Sequence, residues 1–149
     1  MAKIAIMMGS KSDLDIMNKG ADFLKEQGIG CEVFVASAHR TPEKVHDIAQ
    51  RINNEFDIVI AGAGMAAHLP GVMASLTHKP IIGVPVDASP LRGVDSLYAI
   101  VQMPPGVPVA TVGINGAKNA AILAMQMLAL GNPEIEKKLL SFREAQKNK

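Results

Sequence analysis

His39 and Arg40 stand side by side in the run Ser37-Ala38-His39-Arg40-Thr41-Pro42. An imidazole can give or take a proton near neutral pH. A guanidinium is always charged and presents a fork of donors that suits phosphate or carboxylate. Proton transfer beside a bound anion is therefore the chemistry this pair can do. A second group is Gly9-Ser10-Lys11-Ser12-Asp13, where an apolar run gives way to a helical pattern. Two hydroxyls there, with the free N–H groups and dipole of a helix start, suit an anion. The same residues can equally do no more than cap the helix. A third group is Ala61-Gly62-Ala63-Gly64-Met65-Ala66-Ala67-His68-Leu69-Pro70. Its small residues let backbone approach a ligand closely, or let strand and helix pack tightly. Its imidazole, His68, is either a pocket residue or a hydrogen-bonded structural histidine. His46 falls off its helix's apolar stripe and His78 lies in a polar turn, so both read as surface. Cys31 reads as a small residue in or beside a strand.

These groups need elements to hold them. Residues 4–8 are continuously apolar, as in a strand buried on both faces. Leu14, Met17, Ala21 and Leu24 follow at helical spacing, with Ser12 and Asp15 spaced as a capping box. A second strand spans 32–36, and Thr41, Pro42 and Glu43 suit the start of a helix with the stripe Val45, Ile48, Ala49, Ile52. A third strand spans 58–61, a turn 62–69, and a helix begins at Pro70 with Val72, Met73 and Leu76 inward. A fourth strand spans 80–86, and a loop 87–93 leads to a helix over 95–103 with Leu97, Ile100 and Val101 inward. A fifth strand spans 107–112, placed at an edge by Pro108. A helix over 119–130 is apolar nearly all round, which predicts burial on more than one side and an oligomer interface. The last helix, 132–146, has an apolar side of Ile135, Leu139, Leu140 and Phe142 and is expected to pack at such an interface.

Strands alternating with helices predict an α/β chain: one domain over 1–149, a doubly wound five-stranded parallel sheet in three αβα layers. Ligands bind outside the carboxyl ends of such strands. The turns at 9–13, 37–40 and 62–69 all fall there, so the three groups converge. At 149 residues and 48% hydrophobic, the chain can bury a sizeable core. A net charge of +1 with 3% aromatic residues argues against nucleic-acid binding. No apolar run is long enough to span a membrane, and nothing at the start reads as a signal peptide. A single cysteine allows no internal disulfide, and the expected compartment is the cytoplasm.

Six motifs in order carry a resemblance over nearly the whole chain: MGSKSD at 8–13, SAHRTP at 37–42, AGAG-x-AAHLPG at 61–71, GVPV at 83–86, GVDSLYAIVQMP at 93–104 and G-x-PVAT at 106–111. The chain resembles the N5-carboxyaminoimidazole ribonucleotide mutase family of purine biosynthesis. The resemblance implies a flavodoxin-like homo-octamer, a small ribonucleotide substrate, and no metal or cofactor. The implied reaction moves a carboxylate from N5 to C4 of an aminoimidazole ring. It also implies that His39 is the general acid and base. Ser10, Ser12, Asp13, Ser37, Ala38 and Arg40 would bind substrate, and Ala63, Gly64, Ala66, His68 and Leu69 would line the base and carboxylate pocket. Met65 stands where the family often has Gly, and would narrow the pocket or point away from it. The segment 113–120 is shorter than the usual form. Two other readings stay open: a related carboxylase that takes free CO2, and a non-catalytic nucleotide-binding module.

Overall fold

The computed structural model describes residues 1–149. Its elements are β1 (Lys3–Met8), α1 (Leu14–Glu26), β2 (Gly30–Val35), α2 (Pro42–Glu55), β3 (Ile58–Gly64), α3 (Leu69–Leu76), β4 (Ile81–Val86), α4 (Val94–Val101), β5 (Ala110–Thr111), α5 (Ala117–Ala129) and α6 (Pro133–Gln146). The five strands form one parallel sheet in the order β2-β1-β3-β4-β5. Chain order reverses between β1 and β3, so the crevice opens at their carboxyl ends.

Strand parity builds the layers. Ile4, Ile6 and Met8 of β1 pack with α1, α5 and α6, while Ala5 and Met7 pack with α2, α3 and α4. Because both faces are covered, β1 carries no polar position after Lys3. Helices α1 and α5 approach closely through Gly20. A Cβ there would lie 2.7 Å from the Ala117 carbonyl oxygen. The blocking atom is backbone, so Gly20→Ala must push the helices apart. We expect a cost of about 2 kcal/mol and a fall in Tm of about 6 °C, read by thermal unfolding.

Several sequence expectations change. The second strand starts at Gly30 rather than at Glu32, and the third continues through Gly64, so its turn begins at Met65. The fifth strand shrinks from six residues to Ala110–Thr111, paired only with Ile82 and Gly83. Pro108 and, across from the next positions, Pro85 lack the N–H that a longer ladder needs. Helix α4 ends at Val101, and that side chain is exposed rather than inward. Helix α5 begins at Ala117 and is flanked within the chain by α1 and α6. Much of its apolar surface is thus covered without a second copy. Helix α6 folds onto the same chain through Ile135, Leu139 and Phe142, the last edge-on to Phe23 at 5.0 Å. His46 and His78 are exposed, and Cys31 is half-buried in β2 with its thiol pushed up by burial. No helix is long and apolar enough to cross a membrane.

Candidate active site

The first turn differs from a plain strand-to-helix step. A 3₁₀ turn, Lys11–Asp13, stands between β1 and α1. The Ser12–Asp15 capping box does not form. Instead the Ser10 hydroxyl accepts the Ser12 N–H at 3.2 Å and lies 2.9 Å from the Ser12 hydroxyl. Two hydroxyls and a helix start therefore face the crevice together.

The second turn is tied to the first. Arg40 donates from Nη2 to the Gly9 carbonyl at 2.9 Å and from Nε to the Ser37 hydroxyl at 3.3 Å. Its guanidinium is held in place while its remaining N–H groups stay free. Thr41 precedes α2 but does not cap it with its side chain. Its hydroxyl accepts the Ser37 N–H at 3.1 Å and donates to the Ser37 carbonyl at 3.0 Å. Local geometry lets Thr41 close the loop on itself, leaving Pro42 to begin the helix.

The third turn brings the second imidazole. His39 Nε2 and His68 Nδ1 are hydrogen-bonded, the rings edge-on with centroids 4.6 Å apart. Only one hydrogen can lie between those two nitrogens, so one ring donates and the other accepts. His68 is thus neither a buried structural residue nor isolated.

The two imidazoles, the Ser10, Ser12 and Ser37 hydroxyls and Arg40 line one cleft of about 560 Å³. Every residue that the resemblance implies for the site lies along it: Ser10, Ser12, Asp13, Ser37, Ala38, His39, Arg40, Ala63, Gly64, Ala66, His68 and Leu69. Leu69 and Ala63 are nearly fully buried and form wall rather than offered surface. Gly9, Met65 and Ala88 complete the lining. Ala88 follows β4, and a Cβ on Gly64 would lie 2.6 Å from its Cβ. No spacing rule reaches it, because the contact depends on register across two strands. A larger groove of about 890 Å³ between α5 and α6 holds neither an imidazole nor a hydroxyl.

Met65 lies in the left-handed region at φ 56°. For a residue with a Cβ that conformation costs on the order of 1 kcal/mol. Asp13 is the charged group most removed from water, 6% exposed. Burial pushes its carboxyl above the ordinary 3.8, and the Ser10 backbone N–H offsets only part of that. The folded chain therefore binds this proton more tightly than the unfolded chain, and stability falls as pH rises through the raised pKa. Asp13→Asn is expected to raise Tm at neutral pH, with the gain fading as pH falls toward 3.8. The same variant should lower kcat/KM. Thermal scans across pH and initial rates check both halves.

Two hydrogen-bonded imidazoles beside a pair of hydroxyls and a guanidinium, in one cleft at the carboxyl ends of a parallel sheet, define the class as an α/β cleft enzyme able to move a proton next to an anion. The particular family follows from sequence. A family model described as AIR carboxylase matches residues 3–149, and the chain belongs to that family. The N5-carboxyaminoimidazole ribonucleotide mutase of Methanocaldococcus jannaschii is 59% identical over 146 residues, covering 98% of this chain and 91% of that protein. The mutase of the same name from Pyrococcus abyssi is 53% identical over 148 residues, covering 99% of this chain and 85% of that protein. The crystal structure of Treponema denticola PurE matches with a TM-score of 0.91 at 29% identity, covering 99% of this chain and 93% of that one.

Proposed function

We propose that this chain is the purine-biosynthesis mutase that converts N5-carboxyaminoimidazole ribonucleotide to its 4-carboxy isomer. The observation that carries the reading is the meeting, in one cleft, of the His39–His68 pair with the Ser10–Arg40 turn pair. Relatives named as mutases, at more than half identity, support this over a carboxylase that uses free CO2.

The chemistry needs an acid and then a base. Protonation of the carbamate nitrogen N5 breaks the N5–carboxyl bond, leaving the amine and CO2. The carbon C4 then attacks CO2, forming a carbon–carbon bond. Loss of the C4 proton restores the aromatic ring. In our reading His39 gives the first proton and takes the second, so it ends as it began. His68 holds the His39 ring edge-on and shares its proton. The 5′-phosphate sits against Ser10, Ser12, the turn's N–H groups and Arg40. Asp13, a poor partner for phosphate, accepts from ribose hydroxyls. Ser37 and Ala38 complete that loop, and Ala63, Gly64, Ala66 and Leu69 shape a dry space where CO2 stays beside C4.

Assembly and place belong to the same proposal. Leu91, Val94, Tyr98 and Val101 recur at 3, 4 and 3 residues and are exposed, as are Leu130 and Leu140 on α5's end and α6. We read these as contacts of a homo-octamer in the cytoplasm, with α6 at an interface. The test of function is formation of the 4-carboxy product from the N5-carbamate. It is compared with formation from unmodified aminoimidazole ribonucleotide and bicarbonate. Fast turnover of the first alone is expected, and fast turnover of the second alone would move the chain to the carboxylase reading.

A further inference from the structure

Of the large apolar side chains lining the cleft, Leu69 is buried in the wall and Met65 is 59% exposed. The remaining lining around Met65 is small: Ala63, Gly64, Ala66 and Ala88. No Phe, Tyr or Trp lines the cleft. The only aromatic rings in the cleft are the imidazoles of His39 and His68, which are hydrogen-bonded to each other, so no Phe, Tyr or Trp is there to cover a planar heterocycle. Met65 is also held in a backbone conformation that glycine would adopt without strain. Strain kept at the lip of a binding cleft points to use rather than accident. A thioether on an unbranched stem is flexible, polarisable and well suited to the face or edge of a heteroaromatic ring.

We propose that Met65 is a specificity and containment residue: its thioether closes over the ring of the bound ribonucleotide and keeps freed CO2 beside C4. The inference rests on the mutase reading above. It adds one flexible side chain's cover to the dry space that the small-residue wall shapes, at a position where the family often has Gly. Its removal would let part of the freed CO2 leave before C4 captures it, and that share of the carbamate would end as the unmodified amine and CO2.

The test compares the unsubstituted protein with Met65→Gly and Met65→Leu. Three quantities are read: KM for the N5-carbamate, the ratio of 4-carboxylated product to decarboxylated amine, and Tm. Glycine relieves the backbone, so Tm should stay the same or rise by about 3 °C. KM should rise about tenfold, and the decarboxylated amine should become a measurable share of product. Leucine, similar in volume, should restore most of both. A glycine variant with wild-type KM and wild-type product ratio overturns the proposal. So does one whose only change is in sedimentation, which would place Met65 between copies. Absence of the reaction in the unsubstituted protein would instead overturn the mutase reading, and this inference with it.

Discussion

Replacing His39 with asparagine is expected to lower kcat about a thousandfold while leaving the fold unchanged. A positioned general acid or base contributes about 10² to 10⁴ in rate, and here one ring is asked to serve in both steps. Asparagine has similar size and can still hydrogen-bond to His68, but it cannot carry a proton between N5 and C4. His39 is exposed at the mouth of the cleft, so its loss should move stability by no more than about 0.5 kcal/mol. The check is steady-state kinetics beside thermal unfolding and sedimentation. Near-wild-type turnover in a folded His39→Asn protein would remove the ring from the mechanism.

The second large effect is on binding. Arg40→Ala should raise KM about 30- to 100-fold, since a charge-assisted contact contributes about 1.5 to 3 kcal/mol. Part of that loss comes from the scaffold. Arg40 ties the Ser37 loop to the Gly9 carbonyl, so alanine also frees the two turns to move apart. Arg40→Lys keeps the charge but not both bonds, and should recover only part of the affinity. The phosphate role further predicts that added salt weakens binding in the wild type more than in Arg40→Ala. An unchanged KM in the alanine variant would mean that the guanidinium is a strut and nothing more.

What the sequence made legible follows from what is local. The apolar run at 4–8 encodes a strand buried on both faces and the stripe from Val45 to Ile52 one buried helix face, and both elements formed where the spacing placed them. Strand alternation then put the three polar turns on one edge with no knowledge of their contacts. The failures are cases where a side chain had a better partner than its helix. Ser12 meets the Ser10 hydroxyl instead of capping α1, and Thr41 closes on Ser37 instead of capping α2. Strand five was cut short by prolines on both sides of the pairing. The bond between His39 and His68 joins residues 29 positions apart, and its geometry depends on how two turns settle. The left-handed backbone at Met65 was equally out of reach, because only glycine, asparagine or aspartate announces such a turn.

The proposed mechanism requires CO2 to be released and recaptured inside the cleft without exchange with water. The N5-carbamate carrying ¹³C in its carboxylate, turned over in excess unlabelled bicarbonate, tests that directly. The 4-carboxy product is expected to keep the label almost completely. Product whose carboxylate has taken on the isotopic composition of the bicarbonate would show that the carboxylate comes from solution, and would contradict the trapped-CO2 mechanism.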